Sequence, residues 1–102
     1  MAKMKVVWSV VASQQKNNAY NYWNKRNGSK DYSRKLSVAI RNRVNEIRRD
    51  PQSYKKSDYG DFHIAILWNY CIYYKIINQT ILISAFWNAR QNPEELLSIL
   101  KK

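Results

Sequence analysis

The chain has 102 residues, of which 45% are apolar and four are tryptophan, so it is long enough for one folded domain and too apolar to be disordered. Eighteen Lys and Arg against seven Asp and Glu give a net charge of +11, and the single cysteine, Cys71, excludes an internal disulfide. No Cys/His cluster has metal-ligand spacing, no apolar run reaches the ~20 residues needed to span a membrane, and no cofactor motif is present.

The charge is uneven. Residues 1–50 carry 12 basic and 3 acidic side chains (+9), whereas residues 51–102 carry 6 and 4 (+2). Such a field favours polyanions and acidic protein partners. Met1-Ala2-Lys3-Met4-Lys5 leads into only a few apolar residues, so the expected location is the cytoplasm.

Lys5-Val6-Val7-Trp8-Ser9 is short, β-branched and aromatic, which predicts an opening strand. From about Val11 the period changes, and Ala12, Ala19, Tyr22 and Trp23 fall on one side of a helix. Asn27-Gly28 ends it, with glycine suited to a left-handed position. Ser29 can cap a second helix, in which Tyr32, Leu36, Ile40, Val44 and Ile47 recur every three or four residues until Pro51 closes it. Two helices joined by Asn-Gly-Ser make an antiparallel hairpin.

Gln52 to Asp61 is polar and reads as a loop. Three apolar runs follow, Phe62–Trp68, Tyr70–Ile77 and Ile81–Trp87, punctuated by Asn69 and by Asn78-Gln79-Thr80. Their length, β-branching and tight connections predict an antiparallel meander. Asn92-Pro93-Glu94-Glu95 then starts a short helix with an amide cap, a first-turn proline and acids on the helix dipole. The expected architecture is α+β over residues 1–102: an N-terminal strand, a helical hairpin packed on a small, mainly antiparallel sheet, and a short C-terminal helix.

The opening strand ending in Trp8-Ser9, the helix with Tyr22-Trp23, the helix ending in Asp50-Pro51 and the strand Tyr70-Cys71-Ile72-Tyr73-Tyr74-Lys75-Ile76 occur in a distinctive order. The run Phe86-Trp87-Asn88-Ala89-Arg90-Gln91-Asn92-Pro93 before a leucine helix is the most specific part. Together they resemble the RelE/ParE superfamily of toxins from bacterial type II toxin–antitoxin modules, across nearly the whole chain. The resemblance implies a growth-inhibiting protein neutralised by a cognate antitoxin, as a homodimer or a hetero-oligomer with it. It also implies one of two targets: mRNA on the ribosome, cut by a RelE-like endonuclease, or DNA gyrase, poisoned by a ParE-like protein. The shared fold does not choose between them.

Metal-free RNA cleavage needs a base for the 2′-hydroxyl, cations for the phosphorane and an acid for the leaving oxygen. Arg90 matches the family's arginine at the end of the last strand. His63, the one histidine, has the titration range for acid/base work, and Lys56, with Lys55 beside it, can clamp a phosphate. The chain departs from the RelE-like pattern in two ways. It lacks arginine between Arg49 and Arg90, and its end, Leu96 to Lys102, carries no tyrosine or histidine.

On the second helix Arg34, Arg41 and Arg48 recur every seven residues and drift only ~20° per heptad, forming one stripe. Lys30 and Arg49 lie close to it. The stripe can track phosphates or accept an acidic helix. Trp87 and Asn88, at the end of the last strand, are further candidate target contacts, and Trp68 and Trp87 are the candidates for base stacking. Cleavage of ribosome-bound mRNA is the leading expectation, with the gyrase poison close behind and a free-standing nucleic-acid-binding domain third.

Overall fold

The structure, a computed structural model, describes residues 4–58, 60–89 and 93–100. The chain runs β1 (Lys5–Trp8), α1 (Val10–Asn27), α2 (Asp31–Arg49), β2 (His63–Leu67), β3 (Tyr70–Ile77), β4 (Thr80–Asn88) and α3 (Pro93–Leu100). The four strands form one sheet in the order β1-β4-β3-β2. The three apolar runs pair as an antiparallel meander, and β1 joins in parallel beside β4. This is the expected α+β arrangement.

The helical hairpin follows from its periodicity and its turn. Gly28 sits at φ 65°, where a side chain would be strained, and stops α1. Ser33 Oγ donates to Asn24 Oδ1 across the hairpin at 2.5 Å. The expected cap of α2 is displaced by one residue. Lys30 occupies that position without a side-chain cap, and Ser29 Oγ accepts only a long 3.4 Å bond from Asp31 N. From α2, Leu36, Ile40 and Ile47 are buried as their spacing predicts, whereas Tyr22 of α1, expected on one side of the helix with Ala12 and Ala19, is half exposed while those two are buried.

The helices cover one face of the sheet, packing Ala12, Ala19, Leu36, Ile40 and Ile47 on Ala65, Leu67, Ile72, Tyr74, Ile81 and Ile83. The other face carries a smaller core of Phe62, Tyr73, Ala85 and Trp87 under Leu96 and Leu100 of α3. The residue expected to cap α3, Asn92, lies outside the described residues.

One irregularity in β4 decides which side chain goes to which core. Tyr74 pairs with Ile83 but Tyr73 pairs with Ala85, leaving Ser84 as an extra residue. Strict alternation from Ile81 and Ile83 would put Ala85 and Trp87 under the helices. The bulge reverses this, so Phe86 enters the helical core and Ala85 and Trp87 turn to α3.

The same region joins β1 to α1. Ser9, expected as the last strand residue, instead caps the helix. Its N–H donates to Ile83 O (2.9 Å), its Oγ accepts from Ala12 N (3.0 Å) and that hydroxyl donates to the bulge carbonyl, Ser84 O (3.3 Å). β1 thus stops at the level of Ile83, and the edge of β4 beyond it faces α1 rather than another strand.

Candidate functional site

Where α1 runs past that edge, a cleft opens. Gln15 Oε1 accepts from Phe86 N at 2.8 Å, satisfying an edge N–H that β1 does not reach. Above this contact the helix and the strand ends diverge around a space of about 540 Å³. Tyr22, Trp23 and Arg26 form its helical wall; Asn69, Tyr70, Phe86 and Asn88 form the sheet side.

The floor is rigid. Tyr70 and Phe86 stack with ring centres 4.6 Å apart and 19° between planes. Trp23 Nε1 donates to the Tyr70 hydroxyl at 2.9 Å. Burial pushes the Tyr70 phenol above its ordinary range, the indole N–H opposes that shift, and Tyr32 and Tyr22 add to it. Tyr70 is therefore neutral at physiological pH and acts as a structural acceptor.

The rim is polar and cationic. Arg26 Nη1 donates to the Tyr22 hydroxyl at 3.1 Å, one helical turn away, and the guanidinium lies 5.8 Å from the centre of the Trp23 ring. Asn18 and Asn69 are exposed on the rim. Among the described residues, the cleft thus combines flat apolar surface, the exposed cation Arg26 and exposed amides.

Of the residues expected at a functional site, the structure brings Asn88 and the Trp87 position to this cleft. The Trp87 side chain itself is only 5% exposed and packs in the core under α3, so it is not presented for stacking. Trp68 is 47% exposed, beside Tyr32 at 5.4 Å between ring centres. Arg90 lies outside the described residues.

His63, Lys55 and Lys56 are elsewhere. His63 faces the helical core at 4% exposure, stacked on Tyr74 at 5.2 Å. Its Nδ1 is 2.8 Å from Tyr54 O, and a carbonyl only accepts, so that nitrogen carries the proton. Lys56 forms an isolated antiparallel bridge with His63, and Ile64 N donates to Lys55 O at 2.9 Å. Both lysines are exposed on the outer edge of β2. At roughly 4.8 Å per strand, Lys56 is about 14 Å from β4. His63 and Lys56 are cross-strand neighbours at the β2 edge, and the third residue expected with them, Arg90, lies outside the described residues.

The α2 stripe is present in part. Arg34 and Arg41 are exposed, as are Lys30 and Arg49, while Arg48 is half buried and its Nε has no hydrogen-bond partner among the described residues. Arg41 lines a side groove with Trp8, Lys16 and Tyr20, where Lys16 Nζ lies 4.2 Å over the Trp8 ring and burial lowers its pKa.

Sequence reasoning missed Arg26, Asn18 and Asn69. A usable clue was present: Arg26 follows Tyr22 by four residues and Trp23 by three, which puts all three on one helical surface. Nothing in the sequence placed that surface against β4. Among the described residues no three His, Cys, Asp or Glu side chains gather in a metal-ligand set, and no helix is long and apolar enough to cross a membrane.

Comparison with known proteins adds two findings. A family described as the ParE toxin of the type II toxin-antitoxin system, parDE, matches residues 6–93. Among solved structures, one from the chromosomal ParDE toxin–antitoxin system of P. aeruginosa is similar, with a TM-score of 0.74 over 84% of this chain and 96% of that one. The two sequences are 16% identical, so this likeness concerns the fold. No curated protein matches.

Proposed function

The chain belongs to the ParE toxin family of type II toxin–antitoxin systems, and from that premise we propose that it arrests growth by binding DNA gyrase rather than by cutting RNA. The family resemblance supplies gyrase as the target and a cognate antitoxin as the partner. The placement of His63 carries the choice between the two mechanisms. A metal-free ribonuclease needs an acid/base group beside the scissile phosphate. His63 is 4% exposed, its Nδ1 proton is committed to Tyr54 O, and its ring is stacked on Tyr74. Lys56 stands on the opposite side of the sheet from the β4 edge, so it does not complete a catalytic set there. A protein that works by contact needs no such set.

The cationic face fits this reading. Arg34 and Arg41, exposed on α2, offer charge to an acidic segment of the antitoxin or of the target, and such pairs govern the rate and register of association.

Two measurements on the full chain test the proposal. Added to purified gyrase and relaxed plasmid, it should abolish supercoiling and accumulate cleaved DNA. Expressed in cells, it should leave the 5′ ends of ribosome-bound mRNA unchanged. Codon-phased cuts in mRNA with supercoiling intact would overturn the reading in favour of RelE-like cleavage. Arg90→Ala sharpens the comparison: growth arrest should persist in this variant, whereas a nuclease would lose it.

A further inference from the structure

The cleft between α1 and β4 suits a flat ring carrying a negative charge, and its rim residues Tyr22, Arg26, Asn18 and Asn69 are exposed. Tyr22 is 51% exposed for a large aromatic residue, yet it is held in place by the bond from Arg26. It begins a row of rings: Tyr22 meets Trp23 edge-on at 5.0 Å, Trp23 lies 4.3 Å from Tyr32, and Tyr32 lies 5.4 Å from Trp68. The inner members are partly buried. The two ends of the row, Tyr22 and Trp68, face solvent.

The Trp68 backbone is the second observation. It sits at φ 55° in the tight connection between β2 and β3. Glycine occupies that region freely, and a bulky residue there is strained. Pairing of Leu67 with Tyr70 fixes the connection, so the strain is maintained while the indole stays 47% exposed. Strained positions of this kind concentrate where a side chain is displayed for binding.

We propose that this end of the molecule binds an unpaired segment of single-stranded nucleic acid. One base stacks on Tyr22 in the cleft, its phosphate meets Arg26, and a base further along the strand stacks on Trp68, at the far end of the row. The cleft volume, about 540 Å³, is within the range of small-molecule sites. Stacking accepts any base, and the amides of Asn18 and Asn69 at the rim offer donors and acceptors to a base edge. The net charge of +11 favours a polyanionic partner. An acidic peptide would use Arg26 but gain little from a row of flat rings. The inference is independent of which macromolecule the toxin inhibits.

Titration of the full chain with (dT)8, (rU)8 and a DNA duplex of equal charge, followed by tryptophan fluorescence, tests it. Quenching by either single strand, with the duplex at least tenfold weaker, supports the site. The ratio of the two single strands then identifies DNA or RNA as its source. Tyr22→Ala should weaken single-strand binding about 5- to 100-fold, the range for loss of one stacking partner. Arg26→Gln should weaken it and reduce the salt slope by about one. Trp68→Gly removes the ring where the backbone favours glycine, so it should lower affinity without unfolding the chain. Arg34→Gln removes the same charge from α2 and should change affinity by less than about twofold. Equal losses in Arg26→Gln and Arg34→Gln, with no loss in Tyr22→Ala, would overturn the proposal and leave only general charge attraction.

Discussion

The two faces of the sheet are covered in different ways. On one, α1 and α2 supply 37 helical residues, 18 and 19, over a continuous core from Ala12 to Phe86. On the other, the eight-residue α3 seats Leu96 and Leu100 beside Tyr73, Ala85 and Trp87, while Val7, Ile66 and Ile77 stay exposed. A helix of eight residues does not persist alone in water. The difference assigns separate tasks: the hairpin face supplies the stability of the fold, and the α3 face holds a short element in place next to the end of β4.

Truncating each core tests that division. Ile83 is fully buried on the hairpin face and pairs with both Trp8 and Tyr74. Ile83→Ala should cost about 2–5 kcal/mol, a large share of the roughly 5–15 kcal/mol that holds a small domain. Urea denaturation would show the midpoint fall with an unchanged slope. Leu96 is 2% exposed under α3, and Leu96→Ala has the same chemistry in the thinner core. The expected result is smaller, about 1–3 kcal/mol, and local: amide exchange accelerates in residues 94–100 while the strands keep their protection. If Leu96→Ala lowers the global midpoint as far as Ile83→Ala does, the two faces form one cooperative unit and the contrast fails.

The contrast also explains what could be read without coordinates. The hairpin face was legible because Leu36, Ile40 and Ile47 repeat at helical spacing and three apolar runs are separated by tight polar connections. The α3 face was legible only as a short leucine helix. What sorts β4 between the faces is one extra residue, Ser84, and a serine within an apolar strand carries no local sign of a bulge. Trp87 was therefore open to a stacking role that its burial under α3 removes. His63 is a similar case, since its direction depends on the register that pairs it with Tyr74. Ser9 reads as the last strand residue, and it becomes a cap because β1 stops at Ile83. Arg26 resembles the other surface cations until α1 is laid along β4. Periodicity reports which residues share a face, and only tertiary pairing reports what that face meets.

The smallest expected effect separates the faces by pH. Tyr74 is fully buried on the hairpin face, and its hydroxyl donates to Pro51 O at 2.7 Å. Burial, with smaller contributions from Tyr54 and Asp50, pushes its pKa far above the ordinary 10.0. Above pH about 10 the unfolded chain therefore loses a proton that the native chain retains. The unfolded state then binds fewer protons, so stability falls as pH rises. Tyr70 shifts in the same direction, again chiefly by burial, and both residues belong to the core under the hairpin. Tyr74→Phe removes one of these titrations but leaves Pro51 O without its donor, a cost of about 1 kcal/mol. The variant should be slightly less stable than the parent at pH 7, and the gap should narrow or reverse between pH 10 and 12. Parallel stability curves across that interval would show that Tyr74 ionises as freely in the fold as outside it. The hairpin face would then be less tightly closed than its packing implies.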